Sequence, residues 1–258
     1  MRNAFPFIQF HMRLVCFLFT SILLAFSVSA FAQDPTKAAP DSYKLQFEND
    51  WVTVLRVHYG ARQTVPVHDH SRFPAAYVYL NDSGPINFKH TDWEHPILTR
   101  PATKAGSFRL SPTRFDDETH SVENPNDTAS EFLRIELKTE APARRTLQGR
   151  FAPVEYPRDK GLKKEEFDNS QLRATRLAPA AGQTLTVTAD AANPVLLAIL
   201  KPGRSGQSTV ETGQTIWLAP GEKRTFESTA ADAQPIELIR FDLKTKPLQR
   251  RSSGGTAK

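Results

Sequence analysis

Three histidines in this chain are spaced so that they could bind one metal ion. His68 and His70 lie two residues apart within residues 66–70, and side chains two apart on a β-strand point the same way. His120 opens a second polar segment, residues 119–125, at the edge of another candidate element. Because imidazole is a good ligand for iron, nickel and zinc, these residues predict a divalent transition-metal site. The alternative is a polar pocket in which the same histidines bind no metal.

The distribution of the histidines favours a function in the first half of the chain. Apart from His11, every histidine lies between His58 and His120. Histidines scattered over a surface would not segregate in this way. Of those outside the candidate site, His58 and His95 are interpreted as structural, and His90 as structural or as a residue at the rim of the pocket.

The elements that must position these histidines are predicted to be β-strands. Short runs rich in Val, Ile, Phe, Tyr and Thr alternate with Gly, Pro and Asn-Asp turns, which is typical of an all-β sandwich or barrel. The strand candidates are residues 51–59, 76–80, 86–90, 107–110 and 131–138. Helical periodicity is confined to a turn or two near residues 163–167.

An internal repeat organises the whole chain. Residues 49–70 align without a gap with residues 169–190, an offset of 120, and residues 132–139 align with residues 238–245, an offset of 106. Apolar residues alternate in step in the second pair of segments, as expected for strands that bury the same face. A match that keeps both order and face predicts two copies of one β domain.

The motifs around the histidines resemble a known family. Gly60, His68-x-His70 and Gly84, followed by Gly106-x5-Pro112 and His120-x3-Asn124, are similar to the two motifs of the cupin superfamily. With the repeat, the chain resembles a bicupin, in which two jelly-roll barrels follow one another, over about residues 43–246. The resemblance implies an all-β fold with a ligand pocket inside the barrel and a metal site with open positions.

The sequence departs from the family pattern at one ligand position. Cupins usually carry a glutamate about five residues after the second histidine, but residues 71–76 contain no carboxylate. A three-histidine site is similar to that of some cupin dioxygenases. Glu118 is an alternative source of the missing carboxylate.

The second copy is predicted to have lost the site. The offsets place Thr188, Asp190 and Phe226 opposite the three histidines, and phenylalanine cannot bind a metal. This barrel is therefore expected either to be structural or to mediate dimerisation. In the second case the protein would be a homodimer. In the first copy, four residues are interpreted either as pocket wall or as barrel core: Phe73, Tyr77, Tyr79 and Arg109.

The first 32 residues have the pattern of a secretory signal peptide. Arg2 and Arg13 come before an apolar run at residues 14–28, and the small-residue cleavage site Ala30-Phe31-Ala32 follows that run. Cys16, the only cysteine, would leave with this signal. We expect a periplasmic or secreted protein with no membrane span after cleavage. The predicted organisation is a signal peptide (1–32), a flexible lead (33–42), a barrel with the metal site (43–140), a linker (141–162), a degenerate barrel (163–246) and a disordered tail (247–258).

Charge and motifs leave three classes of function open. The net charge of +5 is mild and the basic residues are scattered, so nucleic acid is not expected as a partner. One hypothesis is a metal-dependent enzyme, a dioxygenase or an isomerase or lyase, that uses Fe, Mn, Zn or Ni on a small oxygenated organic molecule. The others are a non-catalytic protein that binds a sugar or small acid, and a structural cupin module without metal. Catalytic residues beyond the metal ligands are not identified by the sequence.

Overall fold

The computed structural model describes residues 33–91, 94–112, 118–141, 147–228 and 235–248. The predicted signal peptide, with Cys16, and nearly all of the predicted tail lie outside the described residues. Among the residues that are described, no helix is long and apolar enough to cross a bilayer.

The first half of the described chain contains one helical turn and ten strands. The helical turn α1 is Pro35–Ala38, within the segment that we predicted to be a flexible lead. The strands are β1 (Tyr43–Glu48), β2 (Val52–Tyr59), β3 (Thr64–His68), β4 (Ala75–Tyr79), β5 (Ile86–His90), β6 (Ile97–Arg100), β7 (Phe108–Ser111), β8 (His120–Glu123), β9 (Ser130–Leu137) and β10 (Gly149–Phe151). All five predicted strands are present, with bounds shifted by no more than one residue.

Nine further strands are described in the second half. They are β11 (Leu162–Asp168), β12 (Leu172–Ala178), β13 (Thr184–Thr188), β14 (Val195–Lys201), β15 (Gly203–Ser205), β16 (Ser208–Val210), β17 (Thr215–Leu218), β18 (Lys223–Glu227) and β19 (Glu237–Leu243). The predicted helical turn near residues 163–167 is wrong, because these residues belong to β11, which pairs antiparallel with β12 at a sheet edge. Its mixture of Lys and Glu reflects exposure at that edge and not helical periodicity.

Each half folds as two antiparallel sheets that form a jelly-roll barrel. In the first half the sheets have the orders β1-β2-β9-β4-β7-β10 and β3-β8-β5-β6. In the second half the orders are β11-β12-β19-β14-β17 and β13-β18-β15-β16. The two sets of strands correspond one to one, except that β10 has no counterpart among the described strands. The prediction of an all-β fold with two tandem barrels is confirmed.

The strand registers reproduce the sequence offsets. Val52 pairs with Leu137 between β2 and β9, and Leu172, 120 residues after Val52, pairs with Leu243, 106 residues after Leu137. An irregularity lies between Leu45 and Phe47 in β1, and a matching one lies 120 residues later in β11. The two copies therefore share strand order, register and this local irregularity.

The larger sheets of the two halves share one hydrophobic cluster. Leu133 and Ile135 of β9 and Ile239 and Phe241 of β19 are all buried in it. The ring centroids of Phe108 and Phe241 are 6.0 Å apart in an edge-to-face arrangement. Removing both sheet faces from water supplies the hydrophobic stabilisation that joins the two barrels.

Along the strands that contribute to this shared cluster, every second side chain points the other way, into the interior of its own barrel. In the first barrel these include Tyr77 and Tyr79 of β4 and Phe132 of β9. In the second barrel the residues at the places of Tyr77 and Tyr79 are Leu197 and Ile199, which belong to a separate apolar cluster. The interior of the first barrel is therefore aromatic and polar, and that of the second is filled mainly by aliphatic side chains together with Phe226.

Candidate metal centre

His68, His70 and His120 come together inside the first barrel. All three are buried, and their candidate ligand atoms lie within 4.8 Å of one another. The Nε2 atoms of His68 and His70 are 3.1 Å apart, and the ring centroids of His68 and His120 are 4.8 Å apart. Two nitrogens bound to one ion at about 2.1 Å and roughly right angles would be about 3 Å apart, so this spacing suits a shared ion.

The route by which His70 reaches the cluster differs from the prediction. His68 is the last residue of β3, and His70 lies beyond the end of the strand. The pairing of β3 with β8 is irregular between Val65 and His68. The carboxylate of Asp69, between the two histidines, accepts a hydrogen bond from the Thr119 hydroxyl. The loop, and not the two-residue period of a strand, therefore directs His70 inward.

His120 is placed by strand pairing. It is the first residue of β8, as expected for a histidine at the edge of an element, and it pairs directly with His68 of β3 and with His90 of β5. The other end of β8 is anchored by Asn124, whose Nδ2 donates to the carbonyl groups of Tyr59 and Gly60. The spacing His120-x3-Asn124 thus combines one candidate metal ligand and one structural residue in the same segment.

A hydrogen-bond chain orients the His68 ring. Its Nδ1 is 2.7 Å from the Pro66 carbonyl oxygen, so Nδ1–H donates and Nε2 keeps its lone pair. The hydroxyl of Tyr43 lies 2.9 Å from Nε2 and 2.6 Å from the hydroxyl of Tyr59. Burial raises the pKa of both tyrosines, which keeps them as neutral hydroxyl groups. His68 therefore presents Nε2 toward the cluster.

The His120 ring tests whether these residues fit a metal. Both of its nitrogens are buried and have no hydrogen-bond partner among the described residues. A buried polar atom without a partner is destabilising, and a metal ion would satisfy one of the two. Burial also lowers the pKa of His120 well below its usual value and lowers that of His68, so both are held in the neutral form that binds metals. The donor set fits a divalent transition metal.

A cavity of about 60 Å³ lies beside the histidine cluster, where His70 and His120 form part of its wall. This space would hold a few water molecules or part of a small organic molecule. Aromatic rings and cationic side chains dominate its wall. The wall includes Tyr59, Tyr77, Phe88, Arg100, Arg109, Glu118, Phe132, Arg134 and Arg150.

The Glu118 carboxylate is engaged by an arginine. Its Oε2 lies 3.2 Å from both Nη1 and Nη2 of Arg134, whose Nε donates to Glu136 at 2.9 Å. Glu118 therefore lines the cavity, but the cluster that could hold a metal consists of the three histidines alone among the described residues. The alternative of Glu118 as a substitute metal ligand gains no support from this ion pair.

Of the other residues considered from sequence, some line the cavity and some lie outside it. Tyr77, Tyr79 and Arg109 line the cavity as predicted, whereas Phe73 lies in a different surface depression and the prediction for it is wrong. His90 is buried and lines the cavity with its ring 5.0 Å from that of His120. His58 instead bonds Glu131 near the surface, and His95 is exposed.

Sequence reasoning missed Arg100 and Arg134 in the cavity wall. For Arg134 a signal was present, because the apolar Leu133, Ile135 and Leu137 define one face of β9 and the intervening residues must point into the barrel. For Arg100, at the end of the short strand β6, no comparable pattern is visible.

The strand register corrects one assignment in the second barrel. Thr184 pairs with Glu227 at the place where Thr64 pairs with Glu123 in the first barrel. Glu227 therefore corresponds to Glu123, and the residue three positions earlier, Arg224, pairs with Val187. The counterpart of His120 by register is therefore Arg224, and the predicted counterpart, Phe226, occupies the place of Val122. The conclusion that this barrel lacks the histidine cluster is unchanged, since the second half contains no histidine.

Comparison with known proteins gives similarity in structure only. No family model matches the sequence, and no curated protein matches it. The bacterial pirin YhhW from Escherichia coli, determined in complex with nickel(II), is 15% identical, with a TM-score of 0.54 over 80% of this chain and 91% of that one. YhaK from Escherichia coli is 11% identical, with a TM-score of 0.51 over 80% and 92%.

A third solved structure carries the cupin name. The cupin 2 conserved barrel domain protein from Leptotrichia buccalis is 13% identical, with a TM-score of 0.47 over 78% of this chain and 88% of that one. The likeness to the two Escherichia coli proteins covers 80% of this chain. Taken with the strand order, it confirms that the chain has the bicupin fold.

Proposed function

We propose that this protein is a metal-binding bicupin whose first barrel holds one divalent transition metal at His68, His70 and His120 and binds a small organic molecule beside it. The observation that carries the proposal is the buried cluster of three imidazoles within 4.8 Å, next to a cavity. Three neutral nitrogen ligands leave positions for water or substrate, as in catalytic metal sites. Iron, manganese, zinc and nickel all suit such a site, and the related fold of YhhW binds nickel(II).

The reaction class that we propose is that of a dioxygenase, or of an isomerase or lyase, on a small oxygenated substrate. A bound metal would supply Lewis-acid or redox chemistry at the open positions. The chain's own residues would enclose the substrate: the aromatic wall excludes water, and the Pro66 carbonyl keeps Nε2 of His68 available as a ligand.

One observation favours a second candidate, a non-catalytic protein that binds a small molecule. Glu118 is the only carboxylate in the cavity wall among the described residues, and it is ion-paired with Arg134. A carboxylate held in this way is a weaker general base, because its pairing with a cation favours the charged form. Such a protein would bind metal and ligand and leave the ligand chemically unchanged.

The metal site is tested by elemental analysis of protein purified without a histidine tag. We expect about one metal per chain in the wild type, and loss of most of it in His68→Ala and in His120→Ala. The matched control is His58→Ala, since His58 bonds Glu131 outside the cavity and should not affect the metal. The proposal is wrong if wild-type protein reloaded with Fe, Mn, Zn, Ni or Cu holds far less than one metal per chain, or if His58→Ala loses metal equally.

We also propose that the chain is exported and cleaved after Ala32. The charged, apolar and small-residue order of the first 32 residues supports this. N-terminal sequencing of the protein from the host should give Gln33 as the first residue, and a chain that still begins at Met1 would contradict cleavage.

A further inference from the structure

Arg100 is a buried cation inside the first barrel. It ends β6, its exposed fraction is 6%, and its guanidinium lies 5.1 Å from the centre of the Tyr79 ring and 5.6 Å from that of Phe132. Its Nη2 donates to the hydroxyl oxygens of Ser83, at 3.1 Å, and Ser130, at 2.9 Å. Two neutral hydroxyl groups and two rings fix this side chain in place, and none of them carries a negative charge.

The charge of Arg100 has no carboxylate partner among the described residues. Its Nε and Nη1 atoms are buried and make no hydrogen bond within that part of the chain. Arg134 of the same cavity shows the usual alternative, since it is ion-paired to both Glu118 and Glu136. Burying a charge without a counter-ion is destabilising, and burial accordingly lowers the pKa of Arg100. An arginine that stays cationic under these conditions is suited to receive an anion.

Two further arginines stand on the same wall. Arg109 and Arg150 are cross-strand neighbours on β7 and β10, and both line the cavity. The Arg109 guanidinium lies 4.2 Å from the centre of the Tyr77 ring, and its Nε is buried without a hydrogen-bond partner among the described residues. With Arg134 already paired, the cavity keeps an excess of positive charge over the single carboxylate of Glu118.

We propose that the cavity binds a small organic carboxylate, with its oxygens accepting hydrogen bonds from Arg100 and its carbon part lying against Phe88 and Phe132. This inference deepens the proposed function, since it names the class of ligand that would lie beside the metal. Guanidinium–carboxylate hydrogen bonds are among the stronger polar contacts in proteins. The cavity is small and has aromatic walls, which suits a compact carboxylate better than a fully hydrated phosphate.

Thermal stability in the presence of small anions tests this inference without measuring turnover. The probes are acetate, pyruvate and benzoate, with acetamide, pyruvamide and benzamide as uncharged counterparts and inorganic phosphate as the competing anion. We expect at least one carboxylate to raise the melting temperature of metal-free wild-type protein, with its amide having no effect. Calorimetric titration of that carboxylate should show binding weakened about tenfold or more in Arg100→Met.

The variants separate a binding role from a structural one. If Arg100 is an anion receptor, Arg100→Met without ligand should melt no lower than the wild type, because an uncompensated buried charge has been removed. Arg204→Met is the control, since it removes one exposed positive charge from the second barrel and should leave carboxylate binding unchanged. Arg109→Met is a second variant, expected to weaken binding, in case Arg100→Met does not fold.

The outcomes also separate this inference from the metal proposal. His120→Ala should lose metal and keep carboxylate binding, whereas Arg100→Met should keep metal and lose carboxylate binding. The inference is overturned if no carboxylate of the panel stabilises the wild type, if the amides or phosphate do so equally well, or if Arg100→Met and Arg109→Met both bind the carboxylate as the wild type does. Carboxylate binding in a protein that holds no metal would instead contradict the metal centre alone.

Discussion

Burial makes the state of the histidine cluster depend on pH even before a metal is bound. His120 lies near Glu118, His68, His90 and Arg134, and burial is the main cause of its lowered pKa. His68 is affected in the same direction and for the same main reason. A proton on either ring would place a positive charge in a barrel that already contains Arg100 and Arg134. The neutral state of the cluster is therefore part of what stabilises the metal-free fold.

We predict that metal-free protein loses stability in mild acid. In the unfolded chain the pKa of a histidine is about 6.5. In the folded chain the pKa values of His68 and His120 are lower than this. The unfolded state therefore binds more protons in this range. The contribution of these histidines to stability is fully present above about pH 6.5 and is lost as the pH falls from there through the lowered folded pKa.

The measurement is urea unfolding of chelator-treated protein at a series of pH values. His120→Gln should flatten the fall in unfolding free energy below about pH 6.5, and His58→Gln, near the surface, should not. A wild-type curve that is flat across this range, or one that His120→Gln leaves unchanged, would contradict the prediction.

At this scale the sequence allows part of the site to be predicted. Few residue types bind metals, so His68, His70 and His120 could be identified from sequence as a candidate cluster, and the structure brings these three side chains together. The role of Glu118 could not, because its pairing with Arg134 of β9 is a tertiary contact that the spacing of the two residues does not reveal. Arg100 escapes prediction for a related reason: its hydrogen-bond partners, Ser83 and Ser130, are distant in sequence.

Strand alternation explains how one element serves two environments. In β9, Leu133 and Ile135 belong to the cluster shared by the two barrels, and Phe132 belongs to the interior of the first. The interior face also carries the buried Arg134 and Glu136, so apolar and polar residues alternate along this part of the strand. The alternation is therefore visible in the sequence, but the partner of each face becomes clear only when the second barrel is in place.

Equivalent strands of the two copies carry the same ion pair in different surroundings. Arg56 contacts Glu131 at 3.2 Å with side chains 43% and 33% exposed. Arg176 and Glu237, at the corresponding positions, are 2.9 Å apart with side chains 0% and 3% exposed. Arg176 is covered by the segment after β10, where the Ala152 carbonyl accepts from its Nη2, and it also contacts the buried Glu166.

We predict that these two arginines differ sharply in their contribution to stability. Arg176→Ala removes the fully buried cation that Glu166 and Glu237 share and leaves them only the more exposed Lys164 and Lys201. The substitution should cost about 3–5 kcal/mol of unfolding free energy. Arg56→Ala removes an exposed pair and should cost about 1 kcal/mol or less. Urea denaturation of both variants gives the comparison. Equal costs would mean that the segment after β10 does not keep water from Arg176.

At the scale of the whole molecule, the repeat predicts two barrels but not how they are joined. The offsets of 120 and 106 match the strand registers, because residues that pair across a sheet must change together if the register is to survive. The shared cluster could not be predicted in the same way. An apolar strand face fits equally well against the other sheet of its own barrel, a second copy of the chain, or the neighbouring barrel. Homodimer formation therefore stays a prediction.

The shared cluster predicts that the two barrels unfold as one unit. Separation would expose the apolar faces of two sheets to water, including Phe108 and Phe241. Trp51 of the first half and Trp217 of the second report on this contact, with ring centroids 6.4 Å apart. With the third tryptophan, Trp93, replaced by Phe, fluorescence would follow the contact between barrels and far-ultraviolet circular dichroism would follow all strands. We expect both signals to show one coincident transition.

Metal binding to the first barrel should then stabilise the second barrel as well. A ligand at 100 times its dissociation constant adds about 2.7 kcal/mol to the state that binds it. In a single cooperative unit, this would shift the entire transition, including the signal from the second-barrel strands, although that barrel has no histidine. His120→Ala serves as the control and should unfold in one transition that added metal no longer moves. Two transitions, of which metal raises only one, would show that the barrels are independent and that the second contributes nothing to the stability of the site.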